Sequence, residues 1–194
     1  MTWSHVAAAL TQDALAEAAA AGALDVRAPV PAPGAHEVVP GEHALPVAVP
    51  LEDAQATRAL GARLAASLRP GDLLVLSGPL GAGKTSLTQG LGEALGVRGR
   101  VTSPTFVLAR AHRGPVPLLH VDAYRLRDAG SHLDLDDLGL DAALEDAVTV
   151  VEWGEGVVEG LADSRLHVEL ARPDDDGAPR TARVRAVGPR WAVL

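Results

Sequence analysis

This chain predicts a three-layer α/β fold with a mostly parallel sheet, finished by a C-terminal antiparallel hairpin. Three patterns carry that prediction. Leu73-Leu74-Val75-Leu76, Leu118 to Val121 and Val148 to Val151 are short, wholly apolar runs of the kind that form strands buried on both faces. Stretches with helical spacing alternate with them, which favours helices packed on a parallel sheet. Finally, Leu166 to Leu170 and Ala182 to Val187 alternate in polarity around the turn Pro173-Asp174-Asp175-Asp176-Gly177 and read as an antiparallel pair.

The elements follow in order. Residues 1–45 are expected to be a mobile Ala/Pro-rich extension. Its first part, capped by Ser4, is Ala-rich enough for a helix but offers a shallow apolar face, and Pro29, Pro31, Pro33 and Pro40 hold the rest extended. No basic start precedes a pure apolar stretch, so a secretory signal is not expected. Residues 46–194 then form the domain. Ala56, Leu60, Leu64 and Leu68 share one face of a helix expected over 51–68, stopped by Pro70-Gly71. A second helix is expected from Lys84 to Leu95, ended by Gly96. Phe106 to Ala109 reads as a further strand, and Leu133 to Ala147 as an acidic helical region.

Between the first apolar strand and the second helix lies Gly78-Pro79-Leu80-Gly81-Ala82-Gly83-Lys84-Thr85, followed by Ser86. The glycines let successive backbone amides point into one concavity, and the helix N-terminus behind them favours anions. Lys84 is the one lysine among 17 basic residues, so where arginine serves everywhere else a compact ammonium has been kept for reaching β- and γ-phosphates. Thr85 brings a hydroxyl suited to Mg²⁺. A strand, this loop and a helix in sequence define a P-loop NTPase fold.

Two later strands end in carboxylates. Leu118-Leu119-His120-Val121 runs into Asp122, expected on the metal side; His120 is read as a strand residue satisfied by a hydrogen bond. Thr149-Val150-Val151 runs into Glu152-Trp153, with Glu152 suited to orient an attacking water and Trp153 able to stack on a base. In Ser103-Pro104-Thr105-Phe106, Thr105 stands where a nucleotide-sensing switch is expected. The only Phe, the only Tyr (Tyr124) and Trp153 all fall in these stretches. A net charge of −8 argues against a broad nucleic-acid surface of the chain's own, and the absence of cysteine excludes thiolate metal sites and disulfides.

Taken together, the loop at 78–85, Ser-Pro-Thr-Phe at 103–106, His-Val-Asp-Ala-Tyr-Arg at 120–125, Leu-Asp-Asp-Leu-Gly-Leu at 135–140 and Glu-Trp at 152–153 strongly resemble the TsaE (YjeE) family over about residues 47–188. These are small ATPases of bacterial threonylcarbamoyladenosine tRNA modification. The resemblance implies ATP and Mg²⁺ as ligands, with Gly78, Pro79, Leu80, Gly81, Ala82, Gly83, Lys84, Thr85 and Ser86 around the phosphates. It further implies Thr85 and Asp122 at the metal, Glu152, Lys84 and Thr105 in hydrolysis, and Trp153 against the adenine. TsaD and TsaB type proteins are the implied partners, tRNA is met only through them, and the location is cytoplasmic, without a membrane role. Ser86 and Gly154 stand where many relatives carry threonine and proline.

Other nucleotide chemistries fit less well. The chain has no asparagine and no second lysine, so the Asn-Lys-x-Asp base-reading motif of a GTPase cannot be written. A small-molecule or nucleotide kinase shares the loop, but the region after Arg125 and Arg127 turns acidic where a cationic lid belongs. A nucleotide-gated binding module with slow hydrolysis as a timer is the remaining class.

Overall fold

The computed structural model describes residues 47–105, 107–125, 144–158, 160–172 and 179–191. The expected N-terminal extension, Phe106, the acidic stretch up to residue 143 and the hairpin turn lie outside them.

Seven strands form one sheet: β1 (Val47–Leu51), β2 (Leu73–Ser77), β3 (Ala109–His112), β4 (Leu118–Asp122), β5 (Val148–Glu152), β6 (Arg165–Ala171) and β7 (Arg180–Val187). Their spatial order is β1-β7-β6-β2-β5-β4-β3. The four central strands run parallel, and β1, β7 and β3 are antiparallel additions at the two edges. The terminal pair is the antiparallel hairpin expected, and β6 also joins the parallel centre through β2.

Two helices, α1 (Ala54–Ala65) and α2 (Lys84–Ala94), pack on one face over Leu74, Leu76, Val148, Val150, Leu166 and Val168. They approach closely because glycines stand at the crossing. A Cβ on Gly61 would come within 2.1 Å of the Leu87 carbonyl oxygen, and one on Gly90 within 2.0 Å of that of Arg58. The opposite face, around Leu73, Val75, Leu119, Val121 and Val151, is covered in part by Val157, Val158, Leu161 and Ala162. A short 3-10 turn, Pro189–Trp191, buries Trp191 and sends Arg190 onto the buried Asp72 just before β2, Nε to Oδ1 at 3.1 Å.

Boundaries differ from the sequence expectation: the first helix ends at Ala65 rather than Leu68, and the last strand starts at Arg180. The first helix begins at Ala54, where the Asp53 side chain accepts from the Ala56 amide at 2.7 Å, and residues 47–51 form an edge strand instead. Pro50 is tolerated in it because an edge strand leaves one row of amides unpaired. The strand expected over 106–109 is Ala109–His112. The amides of Val107 and Leu108 both donate to the Pro104 carbonyl at 2.8 Å, so that segment is spent on a tight turn. Among the described residues no helix is long and apolar enough to cross a membrane.

Candidate functional site

The glycine loop follows β2, and the carboxylates end β4 and β5, so all three meet at the C-terminal ends of the parallel strands, where ligands bind in open α/β sheets. Gly78, Gly81 and Gly83 all have positive φ, from 76° to 128°. At Gly78 the demand is doubled, since a Cβ would sit 2.2 Å from the Leu170 carbonyl oxygen of β6. Only glycine takes that backbone and that space. Leu80 projects outward, 86% exposed, while Ala82 is buried beneath the loop.

Lys84 opens α2 and is turned inward, 5% exposed. Its ammonium donates to the carbonyls of Gly78 (2.7 Å) and Pro79 (3.0 Å). Burial pushes the Lys84 pKa below the ordinary 10.5, while the negative charges of Glu152 and then Asp122 pull it back up. Both strand-end carboxylates thus face the loop lysine, as the sequence expected.

Their hydroxyl partners were not foreseen. Thr85 Oγ1 donates to Glu152 Oε1 at 2.9 Å. Asp122 Oδ2 instead accepts from Thr105 Oγ1 at 2.7 Å, leaving Ser103 Oγ to donate to Thr105 at 2.6 Å. Asp122 Oδ1 accepts from the Tyr124 amide at 3.0 Å. The loop hydroxyl is therefore tied to the β5 acid, and the Ser103–Thr105 turn to the β4 acid. Arg125 also reaches the turn, donating to the Thr105 carbonyl.

His120 is 0% exposed, and its Nε2 lies 2.9 Å from the same Glu152 Oε1. This realises the satisfied strand histidine expected, with the acid that ends β5 as its partner. Across the loop, a Cβ on Gly81 would lie 3.9 Å from Arg172 Nη1, placing that guanidinium beside the loop. Nothing local in the sequence marks Arg172, because the β2–β6 pairing is what brings it there.

Trp153 lies beside the loop lysine. Its ring centroid lies 3.6 Å from Lys84 Nζ, and Tyr124 meets it edge-on at 5.2 Å between centroids. The indole therefore stands against the ammonium of the glycine loop. Trp153 has φ 61° and Leu108 φ 65°, the only non-glycine residues with positive φ among those described. Such backbone is costly for bulky side chains and collects at functional sites. Gly154 behind Trp153 has no room for a side chain, since a Cβ would lie 2.9 Å from both Val151 and Val158.

The donors present suit Mg²⁺. Thr85, Glu152 and Asp122 offer only hard oxygen ligands beside the glycine loop.

The chain is similar to known proteins over most of its length. A family model described as threonylcarbamoyl adenosine biosynthesis protein TsaE matches residues 51–182. The tRNA threonylcarbamoyladenosine biosynthesis protein TsaE of Streptomyces coelicolor is 57% identical over 142 residues, covering 70% of this chain and 94% of that protein. Its Bacillus subtilis counterpart is 40% identical over 140 residues, covering 71% and 84%. The crystal structure of Bacillus subtilis YdiB superposes with a TM-score of 0.61 at 32% identity, covering 76% of this chain and 89% of that one.

Proposed function

The chain belongs to the TsaE family, whose members function in tRNA threonylcarbamoyladenosine biosynthesis, and from that premise we propose that it is a slow, Mg²⁺-dependent ATPase serving that pathway beside TsaD and TsaB type partners in the cytoplasm. The observation that carries the reading is one cluster: positive-φ glycines, an inward lysine, and two strand-end carboxylates each held by a different hydroxyl.

In this reading the loop amides and Lys84 hold the phosphates. Thr85, with the oxygens of Glu152 and Asp122, would hold Mg²⁺, which when bound supplies positive charge to the phosphate oxygens. Glu152, already adjacent to Thr85, orients the attacking water. Thr105 links the Ser103–Leu108 turn to Asp122, so the state of the phosphates can be passed to a surface a partner touches. Slow turnover by the chain alone is part of this reading, with Arg125 already engaged with the Thr105 carbonyl.

Calorimetry with ATP and Mg²⁺, followed by release of inorganic phosphate with and without a TsaD–TsaB pair, tests the proposal. Binding with hydrolysis stimulated by the pair is expected. Failure to bind ATP would remove it, and phosphate transfer to a small metabolite would favour a kinase.

A further inference from the structure

We propose that His120 is a positioning residue: its Nε2–H pins Glu152 Oε1, so the carboxylate stays aimed at the glycine loop when the Thr85 hydroxyl is drawn toward a metal. This inference rests on the ATPase reading for its kinetic consequence, though its geometry stands apart from it.

The placement comes from register. In the parallel β4–β5 pair, Asp122 lies opposite Glu152 and His120 opposite Val150, so His120 and Glu152 are diagonal neighbours on the face beneath α2. Long side chains meet at that diagonal. Neighbouring residues on the face are Leu118, Val148 and Val150, all core aliphatics. An aliphatic side chain at 120 would fill the space without burying an unpaired nitrogen. The chain instead buries an imidazole completely, with Nδ1 lacking a hydrogen-bond partner among the described residues. Leaving a buried polar atom unpaired is unfavourable, so the ring is kept for what its other nitrogen does.

That other nitrogen is constrained by its partner. A carboxylate oxygen only accepts, so the hydrogen lies on Nε2. Glu152 Oε1 then has two donors, Thr85 Oγ1 and His120 Nε2, both at 2.9 Å. Thr85 sits on a loop that must accommodate phosphates, whereas His120 is fixed in the sheet. When the first donor is engaged elsewhere, the second holds the buried acid (3% exposed) in its rotamer.

The test combines a spectroscopic and a kinetic readout on the full chain. Nitrogen-15 NMR of histidine-labelled protein, with His120 assigned by loss of its signals in His120→Gln, should report hydrogen on Nε2. A neutral Nδ1–H ring would overturn the inference whether or not the protein hydrolyses ATP. In the kinetic arm, His120→Leu should keep Mg²⁺-free ATP affinity and lose about 10- to 100-fold in kcat, the usual loss when a ligand-orienting partner is removed. His120→Gln, which restores a donor near Nε2, should recover most of the rate. Wild-type kcat in His120→Leu, or equal loss in both variants, would reduce His120 to packing. Should His120→Leu not fold, the Gln variant and the NMR signal decide. A wild-type protein that binds no ATP would defeat the ATPase reading and leave the NMR arm intact.

Discussion

Replacing Lys84 with Met separates what the lysine does for folding from what it does for phosphate. Two charge-assisted hydrogen bonds are lost, to the carbonyls of Gly78 and Pro79, each about 1.5–3 kcal/mol in favourable cases. Against this stands the cost of burying the ammonium, several kcal/mol per ion and visible in its lowered pKa. Methionine also keeps a thioether beneath the Trp153 ring, a contact of about 0.3–1.5 kcal/mol. The opposing changes are of similar size, so stability without nucleotide should stay within about 1–2 kcal/mol of wild type. Phosphate binding has no such compensation. Losing two charge-assisted bonds to phosphate oxygens costs at least about 3 kcal/mol, or roughly 150-fold in Kd. Urea denaturation and calorimetry with MgATP read the two quantities separately. An unchanged Kd would refute the assignment of the loop; a collapse in stability with unchanged affinity would make Lys84 a structural residue.

Further predictions rest on the same geometry. Glu152→Ala should retain Mg²⁺-free ATP binding and lose hydrolysis, and equal loss of both would remove Glu152 from the chemical step. Bound phosphate favours charged Lys84, and Lys84 releases its proton below the ordinary 10.5. ATP affinity should therefore weaken as pH rises through that lowered pKa, and titrations showing affinity flat up to the ordinary lysine range would contradict it. The sign for folding is opposite: the unfolded chain binds more protons between the lowered pKa and 10.5, so Lys84 adds stability as pH climbs through that window. With Trp3 and Trp191 replaced by phenylalanine, Trp153 fluorescence should change on adding MgATP, because phosphate competes for the ammonium under its ring; no change counts against that contact. Gly90→Ala should destabilise by about 1–3 kcal/mol in a urea melt, since its Cβ would sit 2.0 Å from the Arg58 carbonyl oxygen, and a neutral result would mean the α1–α2 crossing yields.

Much of this protein could be read before any coordinates. Uniform apolar runs located β2, β4 and β5 within a residue or so, because strands buried on both faces need no alternation to be recognised. Gly78, Gly83, Lys84 and Thr85 declared the glycine loop through spacing, and Asp122 and Glu152 declared themselves by ending strands. Those signals are local in the chain. Strand β1 was illegible because it depends on a partner far away, β7, which accepts a proline-bearing edge; the turn before β3 was missed because the nearby Pro104 carbonyl diverts two amides from a strand. The same limit applies to the site. Sequence supplied the acids and hydroxyls, but the pairings of Thr85 with Glu152 and of Thr105 with Asp122 depend on neighbouring strands and loops being assembled. The indole on Lys84 and the imidazole on Glu152 belong to the same class. Composition and spacing determined which groups this protein owns, and tertiary structure decided which of them touch, because hydrogen bonds and ring contacts reach only a few ångströms and sequence distance does not measure them.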